Sequence, residues 1–158
     1  MIRLSTTQAY LTLHFCVLLW GFTAILGKLI SLDALTLVWW RLLLACAGLY
    51  LLGRGLPALK RIPRERLWVM VGAGLLITAH WLTFYLTVKI ASASVAVLCM
   101  TLAPIATALV GPSLMGKSFR PRDLLLAALV LPGMLLAFGG AGADQLPGIA
   151  IGLVSALL

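Results

Sequence analysis

The chain has 158 residues, of which 63% are apolar and only 10% are charged. Soluble domains are about 45–50% apolar and about 25% charged, so a water-soluble fold is excluded, and a disordered chain with it. The net charge is +8, from 12 Lys and Arg against 4 Asp and Glu; these bases fall between apolar runs, where they orient a membrane protein rather than bind nucleic acid.

At roughly 20 residues per crossing, the apolar content suffices for about five membrane helices. Residues 1–8 form a short polar lead whose base is Arg3. The first span runs from Ala9 to about Leu26, extending toward Ile30. It is too long for a secretory signal and has no small-x-small cleavage site, so it reads as a retained helix. After the turn Ser31-Leu32-Asp33, the second span covers Ala34 to Leu52. A basic loop follows with Arg54, Lys60, Arg61, Arg64, Glu65 and Arg66, and with Pro57 and Pro63 to stop a helix. The third span is Leu67 to Val88, and Lys89 marks a very short connection to the fourth, Ala91 to Met115. A second basic loop holds Lys117, Arg120, Arg122 and Asp123 before the fifth span, Leu124 to Gly139. The stretch Gly140 to Gln145 is small and flexible, with Asp144 its charge.

Leu146-Pro147-Gly148 then opens an apolar run from Ile149 to Leu158, half a span long. A helix ending at mid-bilayer leaves its last carbonyls without partners. Either this run lies in the interface or the sequence is a fragment of a longer protein; the lack of a terminal charge or aromatic anchor favours the fragment. The expected organisation is a cytoplasmic lead at 1–8, a five-helix unit at 9–140, and at 141–158 a linker with a partial sixth helix, the start of a second repeat.

Nine bases lie on the side of the amino-terminal lead and the two long loops, against Lys28 and Lys89 on the other side. Arg41, within a span, is left out of this count. The bias predicts a cytoplasmic amino terminus and argues against dual topology. Tyr10, Tyr50 and Trp68 fall near the inner interface, where amphipathic rings are favoured. An odd number of crossings also means that a second copy of the unit would be inverted, a common plan for secondary transporters.

The spans carry no carboxylate, because Asp33, Glu65, Asp123 and Asp144 sit at ends or in loops. That weakens a proton relay through buried acid and removes the usual partner for hydrolysis. No metalloprotease motif, serine elbow or Cys/His ligand pair appears, so an enzyme is not expected, nor a metal or other cofactor. Cys16, Cys46 and Cys99 all lie in apolar runs and read as free thiols packed like small apolar residues.

Arg41 lies about 10 Å deep in the second span. It either snorkels outward or pairs with helix-end carbonyls beside Trp39 and Trp40, or it attracts anions in a central cavity. His80 lies past the midplane of span three and shares a face with Phe84, while Trp81 and Tyr85 share the adjacent face, an aromatic stripe suited to a cation or a flat apolar cargo. Packing against a neighbouring helix is the competing reading; His14, shallower, reads as structural. Pro104 removes a mid-span hydrogen bond at the Met100 carbonyl, and Pro132 does so at Ala128. The first reads as a functional kink and the second as packing. Gly72-Ala73-Gly74 and Ala91 to Ala96 read as close helix contacts. Gly111 to Ser118 formally fits a nucleotide-binding loop, but a membrane helix precedes it where a strand is required, so Lys117 reads as a cytoplasmic anchor.

The order of these landmarks resembles the amino-terminal repeat of the EamA-type drug/metabolite transporter superfamily over about residues 11 to 140. The pieces are Leu18-Leu19-Trp20-Gly21 with Lys28, Asp33-Ala34-Leu35-Thr36 leading to Arg41, and Lys89-Ile90-Ala91-Ser92-Ala93-Ser94. Leu102-Ala103-Pro104, Gly116-Lys117, Pro121-Arg122-Asp123 and Gly139-Gly140 complete the pattern. Two features depart from it: Lys117 stands where the family usually has Glu, and the second of two inverted halves, ten helices together, is missing. The resemblance implies an all-α membrane protein of the bacterial inner (plasma) membrane. It also implies secondary transport of small metabolites or drugs by alternating access without ATP. Trp20, Gly21, His80, Phe84 and Pro104 would line or shape the pathway, with Arg41 second in rank. The expected partners are the lipid bilayer, a small-molecule substrate, and a second repeat or a homodimer. The rival is a non-transporting membrane fragment or assembly partner from a truncated transporter gene.

Overall fold

A computed structural model describes residues 5–51, 62–138 and 142–158 and is all-helical over them. The elements are α1 (Thr6–Leu29), α2 (Ala34–Leu51), α3 (Arg64–Ile90), α4 (Ala93–Met100), α5 (Ala103–Leu114), α6 (Pro121–Ala128) and α7 (Leu131–Phe138). A single 3-10 turn, Ala143–Gln145, leads into α8 (Leu146–Leu157). Five stretches are long and apolar enough to cross a membrane: α1, α2, α3, α4 with α5, and α6 with α7. The protein is therefore a multi-pass membrane protein. The expectations at Arg3, at Arg54, Pro57, Lys60 and Arg61, and at Gly139-Gly140 lie outside the described residues.

Hydropathy alone places the starts of α1 and α3 too late, because polar residues form their first turns. Ser5 Oγ accepts the Gln8 backbone N–H at 3.3 Å while Gln8 Oε1 accepts the Ser5 N–H at 2.9 Å, a reciprocal cap that starts α1 at Thr6. Pro63 precedes α3, so Arg64, Glu65 and Arg66, read from the sequence as loop residues, form its first turn. Asp33 accepts the Thr36 N–H at 3.1 Å and starts α2. The Thr36 hydroxyl and then its backbone N–H hold the Asp33 carboxyl below its ordinary value.

Spans four and five are each broken once. Ahead of Pro104 the chain tightens: Thr101 N–H bonds the Leu98 carbonyl at 3.0 Å and Leu102 N–H that of Cys99 at 3.1 Å. Ahead of Pro132, Leu129 and Val130 make the same tight pattern at 3.3 and 3.4 Å. Helix α5 closes through Gly116, at φ +62°, with Lys117 N–H on the Pro112 carbonyl at 2.8 Å and Gly116 N–H on Ser113 at 3.4 Å. The glycine of the nucleotide-loop look-alike is thus a helix terminator. Carbonyls, not N–H groups, point onward from it, which is the wrong polarity for phosphate.

Helix α3 lies at the centre, against α1, α2, α4 and α8. The final helix docks on α3 and α4. It can do so because Gly148 and Gly152 face them: a Cβ at Gly148 would sit 2.5 Å from the Ala91 Cβ, and one at Gly152 2.7 Å from the Cys99 Sγ. The bundle is packed at one end and open at the other. In α1, Ala24 and Gly27 are buried while Ser5 to Phe22 are exposed. In α2 the buried residues are Ala34, Leu37 and Val38, all near its start. In α3, Arg64 to Ile77 are exposed and Tyr85, Thr87 and Val88 are buried.

Two lysines tie the packed end together. Lys28 Nζ donates to the carbonyls of Val88, Lys89 and Ala91 at 3.0, 3.2 and 3.2 Å, at the carboxyl end of α3. Lys89 Nζ donates to the carbonyl of Ile30, the residue that ends α1. Each ammonium thus satisfies the other helix's orphan carbonyls at its negative dipole end. Gly72 and Gly74 lie in the open half, where an added Cβ would meet nothing within 4 Å. The close contact expected at Gly72-Ala73-Gly74 is therefore absent among the described residues.

Candidate functional site

A polar knot forms where α3 meets α8. His80 Nδ1–H donates to the Ser155 carbonyl at 2.7 Å. Ser155 Oγ–H in turn donates to the His80 carbonyl at 3.0 Å, and Thr83 Oγ1–H reaches the same carbonyl at 2.9 Å. Ser155 is 1% exposed and Thr87, one helical turn beyond Thr83, is 0% exposed. Thr87 Oγ1–H closes on the Thr83 carbonyl at 2.9 Å. Every fully buried side-chain nitrogen or oxygen among the described residues has such a partner, as burial in lipid requires. Cys99, buried in α4, points its thiol at the Ile149 carbonyl of α8, 3.7 Å away.

Beside the knot lies a cavity of about 480 Å³, between α3, α5 and α8. His80, Ser155 and Thr107 give it polar groups, and Ile77, Met100 and Val110 belong to its apolar wall. Cavities of this size accept small molecules, and a mostly apolar wall with a few fixed polar groups is the usual make-up of such sites. A second, wider recess of about 980 Å³ opens between α5 and α6. Pro104 lines it at one end and Lys117, Arg120 and Asp123 at the other.

Arg41 lies elsewhere, between α2 and α3. Its Nη1 donates to the Tyr85 hydroxyl at 2.7 Å, and its Cζ stands 4.4 Å from the Trp81 ring centroid. Hydrogen bonding and cation–π attraction together offset its desolvation. Tyr85 is 3% exposed and packs with Ala34, Leu37 and Val38. Its ring also fills the space over Gly27, where a Cβ would sit 2.6 Å from Cε1. Tyr85 belongs to a core that holds Arg41, and Trp81 packs half-buried against it. The tryptophans beside Arg41 in sequence, Trp39 and Trp40, are exposed and are not its partners.

The remaining candidates are dispersed. Phe84 stacks on His80, centroids 6.5 Å apart and planes 22° apart, and meets Tyr85 edge-on at 5.4 Å. It therefore links the knot to the Arg41 core without lining either cavity. Trp20 is 72% exposed on the open half of α1, and a Cβ on Gly21 would meet nothing within 4 Å. His14 is exposed and bonds the Tyr10 carbonyl at 2.8 Å, a local contact within its own helix.

These landmarks follow one another in a recognisable order: Lys28 at the α3 cap, Asp33 at the α2 cap, the Ser92 cap of α4, the Pro104 break and the Gly116 stop. The model of the EamA-like transporter family matches residues 7–139. The chain belongs to that family. No significant match is found among curated proteins or among solved structures. The pieces of the EamA pattern fall largely on helix ends and breaks, so much of it encodes architecture. The departure at Lys117 is tolerated by the fold because the cap there uses that residue's backbone N–H, not its side chain.

Sequence reasoning missed Ser155 and Thr87 as partners of the site, and named Tyr85 only as part of an aromatic stripe, not as the partner of Arg41. A signal for the first was present: Gly148, Gly152 and Ala156 recur every four residues and mark a helix face small enough to dock. Tyr85 could not be told from Trp81 or Phe84 by spacing alone.

Proposed function

We propose that this membrane transporter protein moves small metabolites by secondary transport, with alternating access and no ATP, and that the His80 cavity holds the cargo. The observation that carries the reading is the cavity itself. It adjoins the polar knot between α3 and α8, at the boundary between the packed and open halves. His80 contacts cargo directly. Pro104 supplies the break at which span four bends. Trp20 and Gly21 border the pathway where the bundle opens, and Phe84 and Arg41 position His80 from behind. The base distribution supports a cytoplasmic amino terminus, which places the open end inward. A bacterial inner membrane suits this arrangement. A second repeat or a homodimer would close the open half.

The test is transport in vesicles carrying the full-length protein, with a panel of labelled amino acids, amines and neutral aromatic compounds and no ATP. At least one compound should equilibrate faster than in empty vesicles, and His80→Ala should slow it. If nothing in the panel moves faster, the transporter reading falls. If His80→Ala and Trp20→Ala both leave every responsive compound unchanged, the site assignment falls.

A further inference from the structure

We infer that the side chains of the His80 cavity present hydrogen-bond acceptors only, and that it therefore selects a neutral, mainly apolar molecule carrying an N–H or O–H donor. This rests on the reading of that cavity as the cargo site. The polar side chains of the lining are His80, Thr107 and Ser155. Thr107 Oγ1–H is engaged by the Ala103 carbonyl at 2.8 Å. Ser155 Oγ–H is engaged by the His80 carbonyl at 3.0 Å; the same oxygen lies 3.3 Å from His80 Nδ1, and the Met100 sulfur is 4.0 Å away. The Ser155 carbonyl can only accept, so His80 Nδ1 carries the proton of that 2.7 Å bond. Neutral imidazole holds one N–H, so Nε2 keeps a bare lone pair.

What these three groups have left for a ligand is lone pairs: Nε2 of His80 and the hydroxyl oxygens of Thr107 and Ser155. A carboxylate or phosphate would meet acceptors facing acceptors, with no Lys or Arg in the lining to offset it. An ammonium would find no Asp or Glu there. A neutral donor with an apolar body satisfies both the wall and the lone pairs, and a shape-matched molecule without the donor leaves Nε2 unpaired. The tautomer depends on α8, since the acceptor that fixes it is a backbone carbonyl of that helix. Gly152 therefore acts on selectivity from a distance, by letting α8 seat at all.

The experiment uses the full chain in lipid nanodiscs with two probes of one shape, indole and benzothiophene, at matched free concentrations. The His14→Asn background leaves one imidazole, labelled with ¹⁵N, and the ¹³C methyl of Met100 is assigned through Met100→Leu. Without probe, Nδ1 should be the protonated nitrogen and Nε2 the bare one. Both probes should move the Met100 methyl, because both fit the wall. Indole alone should move Nε2, and should bind about fivefold tighter, the effect of one hydrogen bond. His80→Phe keeps a flat ring and should bring the two affinities together, while Ser155→Ala, which retains the carbonyl, should preserve the preference. A protonated Nε2 with a bare Nδ1, or equal affinities with the Met100 methyl responding to both, would overturn donor selection and leave the cavity reading standing. A Met100 methyl that responds to neither probe would overturn both.

Discussion

The half of the bundle that holds Lys28, Asp33 and Lys89 and the half that begins α3 at Arg64 are built on opposite principles. In the first, small residues let helices touch, and each ammonium closes the other helix's carbonyl end. In the second, α1, α2 and α3 carry equally apolar side chains that stay exposed, among them Trp20, Leu51 and Trp68. Apolarity by itself therefore does not hold membrane helices together, because lipid solvates a leucine as well as a neighbouring helix does. Close backbone approach and satisfied polar groups distinguish the packed half. The cavity lies where one regime gives way to the other.

Substitution can break this contrast, and the largest effect belongs at the tightest contact. Gly27→Leu forces a side chain into the Tyr85 ring and should destabilise the bundle by about 3 kcal/mol, read as loss of resistance to unfolding by SDS in mixed micelles. A smaller loss, about 2 kcal/mol in the same assay, is expected for Lys28→Met, which strips three carbonyls of a shared donor while keeping the apolar stem. Tyr85→Phe removes only the hydroxyl that Arg41 Nη1 reaches and should cost about 1 kcal/mol. A matching loss in Arg41→Met, with no further loss in the double variant, would show that the two act as one pair. In the open half, Gly74→Ala should not destabilise: its Cβ meets nothing, and helix propensity favours alanine by up to about 1 kcal/mol. A cost as large as that at Gly27 would mean the open half packs as tightly as the other.

The pH dependence sharpens the same comparison at its most exposed point. Asp33 is held below its ordinary value of 3.8 in the folded chain, by the Thr36 hydroxyl first and its N–H second. A depressed carboxylate contributes stability that is complete above the unfolded value. That contribution begins to disappear as the pH falls past 3.8 and is gone once the folded carboxyl is itself protonated. Wild type should therefore lose slightly more stability than Asp33→Asn on acidification through this window. Parallel pH curves for the two proteins would remove Asp33 from the account of the packed end.

Much of this was legible in the residues. The five crossings followed from length and hydropathy, and the breaks at Pro104 and Pro132 from a missing N–H. The family followed from the order of Lys28, Asp33, Pro104 and Gly116. The site was legible only in part. His80 stood out because it is titratable and deep, but its partner lies 75 residues away on α8, a helix recognisable from the sequence only as half a span. Trp81, Phe84 and Tyr85 are alike in composition. Spacing could not say which of them would hold Arg41, which would stack on His80 and which would be covered by α1.

Local chemistry, then, decided where this chain enters and leaves the bilayer, where its helices start, and where they bend. Those outcomes depend on hydration and on backbone donors within a few residues of each other. Which faces meet, which lysine closes which helix, and which nitrogen of His80 is bare depend on contacts between residues far apart in sequence. In lipid no bulk apolar force selects those contacts, so they were fixed only when Gly27, Gly148 and Gly152 allowed particular helices to approach.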